Sequence, residues 1–163
     1  MRKIKKKLKK PRQPWNKERI EKENIMMKTY GLRRKREIWK AESILRSMRR
    51  RTRNLAAKRD KIQEKVLLDK LNKMGLLDKS ATLDDILSLT VENILERRLQ
   101  TIIFRKKLAN TPKQARQLIT HGHIIIDGRK TVYPSFLIPN HLENKISLFP
   151  GSKIKITKPK TGE

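Results

Sequence analysis

The chain has no cysteine among its 163 residues, which removes disulfides, thiolate zinc sites and cysteine nucleophiles together. Long apolar runs are missing too, and nothing approaches the ~18 residues that a membrane helix requires. The start, MRKIKKKLKKPRQPW, is basic, but no apolar segment follows it, so it does not read as a secretory signal. A soluble, intracellular protein with no membrane partner is expected. Aromatic residues make up 4% of the chain, so any core must be aliphatic and modest. Walker A, G-x-S-x-G and H-E-x-x-H patterns are absent. No enzyme activity, cofactor or small-molecule substrate is expected. Carboxylates are scarce as well: 16 Asp and Glu stand against 43 Lys and Arg, a formal charge of +27. Such charge repels itself unless a polyanion neutralises it, and it binds nucleic acid by releasing condensed counterions. Composition alone therefore points to nucleic acid.

What is present is unevenly placed. Residues 1–60 hold 24 basic and 6 acidic groups, residues 61–100 hold 7 of each, and residues 101–163 hold 12 and 3. Two basic lobes flank a neutral middle. Residues 1–14 carry two prolines and no hydrophobic period, so they read as an extended arm, disordered by itself. Asn16 can cap a helix that runs to Tyr30 and stops at Gly31. From about Arg34 to Lys58 the apolar stripe Ile38, Ala41, Leu45, Met48 and Leu55 predicts the longest helix. A third helix is expected over 61–74, with Ile62, Val66, Leu67, Leu71 and Met74 inward and Gly75 as its stop. Thr82 and Thr90 read as further helix starts. The second leads into VENILERRLQTIIFRKKL, with Leu95, Leu99, Ile102 and Ile103 inward and Arg98, Thr101 and Arg105 outward.

The stretch TPKQARQLITHGHIIIDG, residues 111–128, is the most strongly punctuated. Thr111 to Gln114 forms a capping box with proline at the first helical position, and Gly122 ends the helix. Ala115, Leu118 and Ile119 face inward, while Lys113, Arg116, Gln117 and Thr120 face outward. Asp127-Gly128 joins two short strands. ISLF at 146–149 and KIKIT at 153–157 each offer a closing strand, and the sequence leaves open which one serves.

The outward residues form the strongest signal. Arg98, Arg105, Lys113, Arg116, Gln117, Arg129 and Lys130 can share one basic surface, whose planar guanidinium forks suit phosphate oxygens. Trp39, near Arg46, Arg50 and Arg53 on a separate helix face, either stacks on a base or an arginine or packs on another element; the arginines serve phosphates in every case. Gln114 touches RNA or merely completes the capping box. His121, His123 and His141 lack the neighbours of a metal site, and His121 and His123 suit hydrogen bonds to RNA instead.

The string ILERRLQTIIFRKKLANTPKQARQLITHGHIIIDGRKTVYPSFLIP resembles the S4 RNA-binding domain, or αL motif. Together with PRQPWNKERIE and YGLRRKREIWKAESILR upstream, roughly residues 10–148 resemble the archaeal and eukaryotic-cytosolic branch of the small-subunit ribosomal protein S4 family. The resemblance implies an α+β chain: an arm (1–14), a helical basic region (15–95), an S4 domain of two helices and a short twisted antiparallel sheet (96–157), and a tail (158–163). It implies a primary binder of small-subunit rRNA that organises the 5′ domain. Its place would be in the cytoplasmic ribosome near the mRNA entry side, with protein S5 as a neighbour. The expected RNA-facing residues are Arg46, Arg49, Arg50, Arg53, Arg97, Arg98, Arg105, Lys106, Lys113, Arg116, Gln117, Thr120, His121, His123, Arg129 and Lys130. Many bacterial members carry an N-terminal cysteine cluster; this chain has none, so no zinc is carried over. The alternatives are a free S4-domain factor that visits ribosomes and an RNA-modifying enzyme bearing the same domain.

Overall fold

The computed structural model describes residues 8–152. The first seven arm residues and the strand candidate at 153–157 lie outside the described residues. Helix α1 (Lys17–Thr29) starts where the Asn16 side chain accepts from Arg19 N–H, and it ends before Gly31, whose φ is +58°. Helix α2 (Lys35–Lys58) buries Ile38, Ala41, Leu45 and Thr52, the last with its hydroxyl returned to Met48 C=O. Helix α3 (Lys61–Lys73) turns Leu67 and Leu71 inward. Helices α4 (Leu83–Ser88) and α5 (Val91–Glu96) start from reciprocal capping boxes at Thr82 and Thr90. These five helices enclose the first aliphatic core, to which Leu32, Leu76, Ile86, Leu89, Ile94 and Leu95 also contribute.

Two expectations fail here. Ile62 and Val66 are 79% and 63% exposed, not buried. Each stands five residues from a buried leucine, about 140° away around the helix, so a helix that packs through one narrow stripe leaves them out. The single helix expected after Thr90 is broken. Arg97 closes α5, Arg98 is extended and bridges to Leu137, and α6 (Leu99–Arg105) starts afresh. Its first amides, Leu99 and Gln100 N–H, donate to Phe136 and Pro134 carbonyls at 2.8 and 3.3 Å. A returning loop thus takes the donors that a continuous helix would have used internally.

The second core lies beyond this break. Helix α6 packs on α7 (Pro112–Thr120), and both cover a sheet of β1 (Ile124–Ile126), β2 (Arg129–Lys130) and β3 (Ile146–Leu148). All pairings are antiparallel in the order β2-β1-β3, so 146–148 is the closing strand among the described residues. The hairpin turn has φ +49° at Asp127 and +78° at Gly128, the doubly positive pattern that Asp-Gly accommodates. Helix α8 (Asn140–Glu143) leads into β3. Leu99, Ile103, Ala115, Ile119, Ile124 and Ile138 are fully enclosed. The molecule is α+β, as expected.

The two cores are joined at two seams. At one, the Gln100 amide nitrogen lies 2.9–3.1 Å from the carbonyl oxygens of Tyr30, Gly31 and Pro112. A Cβ on Gly31 would stand 2.7 Å from the Pro112 ring, so this seam needs glycine for space as well as for its positive φ. At the other, Asn140 donates to Asn72 C=O, and Gly75 makes room for the Arg97 guanidinium and the Asn140 side chain.

Candidate nucleic-acid interface

The exposed cations sit on rigid elements. On α7, buried Ala115, Leu118 and Ile119 fix the helix, so Lys113, Gln117 and Thr120 face solvent, with His121 at its end. Thr111 Oγ1 accepts from Gln114 N–H at 3.1 Å, and the Gln114 amide oxygen reaches the Asn110 N–H at 2.8 Å. Gln114 therefore completes the cap, one residue earlier than a standard box. At the hairpin tip Arg129 and Lys130 are exposed, and Lys130 Nζ lies 3.8 Å from the Phe149 ring centroid. His123 pairs with Ser152 through Nδ1 at 3.1 Å. The rings of His121 and His123 stand 6.4 Å apart, and no metal-holding cluster occurs among the described residues.

On α2, Arg46, Arg50 and Arg53 are exposed, whereas Arg49 Nη2 donates to Leu89 C=O at 2.6 Å and ties α2 to the loop after α4. Arg105 is exposed but pairs with Glu96 at 2.6 Å. Lys106 Nζ is held by Glu143 C=O.

Three expected surface arginines are turned inward. Arg98 is 5% exposed, and its guanidinium is bound to Glu37; Thr101, also expected outward, is buried with its hydroxyl on Leu95 C=O at 2.7 Å. Arg97 donates to Glu143 at 2.8 Å and to Ile138 C=O at 2.7 Å. Arg116, a quarter exposed, reaches both Glu37 oxygens at 3.0 and 3.1 Å. The reason is common to all three. They stand where the two cores meet, and the break after Glu96 rotates Arg98 and Thr101 off the outer face. Burial raises the Glu37 carboxyl pKa, but the hydrogen bonds from Arg116 and Arg98 outweigh it, so the pKa lies below the usual carboxylate range. Glu37 is thus an ionised bolt between α2 and the second core.

The outward set also contains residues that sequence reasoning passed over. Arg33 and Arg34, in the turn between α1 and α2, and Arg36, in the first turn of α2, are exposed, with Lys40 one turn on. Arg34, Arg36 and Lys40 rim a groove of about 490 Å³ whose floor includes Ala41, Ile44, Ile94, Leu95 and Leu137. The signal was legible as the run RRKR at 33–36, directly before an amphipathic helix. Trp39 packs on α1, its indole N–H donating to buried Glu23 at 2.9 Å.

Two compact cores are thus pinned together by ion pairs at their junction and carry exposed cations outside. Residues 2–96 match the model of the ribosomal protein S4/S9 N-terminal domain, and residues 97–138 match that of the S4 domain. The chain belongs to the ribosomal protein S4 family. It is similar to the small ribosomal subunit protein uS4 of Sulfolobus acidocaldarius, 50% identical over 166 residues that cover 99% of this chain and 94% of that one. The protein of the same description from Methanococcus aeolicus is 52% identical over 146 residues, 87% of this chain and 82% of its own. That from Thermoplasma volcanium is 49% identical over 150 residues, 88% and 75%. This is a family of ribosomal structural proteins, not of enzymes, so the RNA-modifying alternative falls.

Proposed function

We propose that the chain is a structural constituent of the small ribosomal subunit and a primary binder of the 5′ domain of its rRNA. The observation that carries this reading is the rigid coupling of two basic bodies through Glu37, Gln100 and the Gly31–Pro112 contact. Phosphates on different rRNA helices then meet cations whose relative positions are set by the protein. Double-stranded RNA is read mainly by shape and backbone, and that demands geometry more than base contacts. The exposed residues Arg46, Arg50, Arg53, Lys113, Gln117, Thr120, His121, Arg129 and Lys130 are the RNA-facing candidates, joined by Arg33, Arg34 and Arg36. Arg97 and Arg98 act from within by holding the two cores together. Neighbouring small-subunit proteins, S5 among them, are the protein partners. The loop with exposed Val132, Tyr133 and Phe136 is suited to such a contact. The seat is the cytoplasmic ribosome, near the mRNA entry side.

The test is a binding titration against the 5′-domain fragment of small-subunit rRNA, with an unrelated rRNA of equal length as competitor, at two salt concentrations. Preference for the 5′ fragment that survives the higher salt is expected. Equal binding to both RNAs, erased together by salt, would overturn the primary-binder reading.

A further inference from the structure

We propose that the groove at the α1–α2 turn is an RNA subsite that holds one unstacked nucleotide, its base against the Trp39 ring and the adjoining phosphates on Lys10, Arg33, Arg34 and Arg36. The proposal rests on the rRNA-binding reading and names a site within it. The groove is an open depression of about 580 Å³, roomy enough for one nucleotide to lie in rather than be enclosed. No carboxylate lines it among the described residues. Among the described residues those four cations make no ion pair, although carboxylates are near: Lys35, in the same turn, is held by Glu23 at 3.3 Å. The tryptophan is already oriented. Its N–H is satisfied by Glu23, and the half-buried ring lines the groove beside Met27. An oriented indole in a groove lined by unpaired cations suits a base with its phosphates, since stacking accepts any base and the charge follows the backbone. A protein partner would have to be strongly acidic to match it. Arg34 and Arg36 also rim the neighbouring groove between the cores, so one strand can continue toward the second body.

Trp39 can report on this site directly. The chain has two tryptophans, and Trp15 is 88% exposed, so W15F leaves Trp39 as the sole indole emitter. Titrating that protein with the 5′-domain fragment should quench Trp39 emission with the midpoint of binding. W39F and W39L both lose the hydrogen bond to Glu23, but only phenylalanine keeps a stacking face. W39F should retain most of the affinity, and W39L should lose roughly tenfold or more. Arg33→Gln and Arg36→Gln, which disturb no core contact, should each flatten the salt dependence by about one phosphate. Equal losses in W39F and W39L, or unchanged emission on a fragment that binds preferentially, would overturn the subsite and leave the rRNA reading standing. If the wild type bound both RNAs alike, the rRNA reading would fall, while quenching by either RNA would still support the groove. Trp39 silent toward rRNA but shielded from quencher in assembled subunits would assign the groove to a protein neighbour and overturn the proposal.

Discussion

Glu37 shows at the scale of one residue how this molecule uses its few carboxylates. It is paired with buried Arg98 and with Arg116, on the far side of the seam from α2. Removing it leaves Arg98 buried without a partner, so E37A should cost about 3–5 kcal/mol in a urea unfolding experiment. The pH dependence follows from the same contacts. A carboxyl whose folded pKa is depressed contributes stability above its unfolded pKa and loses it as pH falls through the folded value. Wild-type stability should therefore drop on acidification below the ordinary carboxylate range, and E37Q should show a shallower drop. An identical acid profile in the two proteins would refute the bolt. Arg105→Ala, by contrast, breaks a pair that is more than half exposed on the arginine side and should cost only about 0–1 kcal/mol. Nothing in the local sequence separates Arg98 from Arg105. They stand seven residues apart, on one face of what reads as a single helix, and only the seam assigns one to structure and leaves the other on the surface.

At the scale of the element, caps and turns were legible because they are local. Asn16, Thr82, Thr90 and Thr111 start helices where the sequence places them, and Asp127-Gly128 makes the hairpin. Thr111→Ala should lower thermal stability by about 1 kcal/mol, through the lost bond to Gln114 N–H. The break between α5 and α6 was not legible, because the apolar spacing runs on across it. What interrupts the helix is the 134–137 loop, which supplies carbonyls and a bridge from some 35 residues away in sequence. Gly31→Ala tests the seam directly. Its positive φ and the 2.7 Å approach to Pro112 should make the loss exceed the ~1 kcal/mol of an ordinary left-handed glycine. Calorimetry that found G31A as stable as wild type would refute the close packing of the two cores.

For the whole molecule, charge is divided between holding the fold and meeting RNA, and salt dependence separates the two. If about 6–10 phosphates are contacted, affinity should fall by roughly 10³–10⁵ between 50 and 200 mM salt, by analogy with duplex DNA. Arg129→Gln should reduce that slope by about one, whereas R98Q should lower stability without a comparable change in slope. Filter-binding isotherms across the salt range check both, and a slope change in R98Q equal to that in R129Q would sink the division. By itself the sequence determined the partner class, the capped helix starts at Asn16, Thr82, Thr90 and Thr111, the hairpin and the α+β character, because net charge, caps and periodicity act over a few residues or over the sum of them all. The tertiary structure decided which arginines stay exposed and which are taken up by carboxylates of the fold. A guanidinium has the same intrinsic chemistry everywhere, and whether it meets a phosphate or a buried carboxylate depends on what the fold brings within about 3 Å of it.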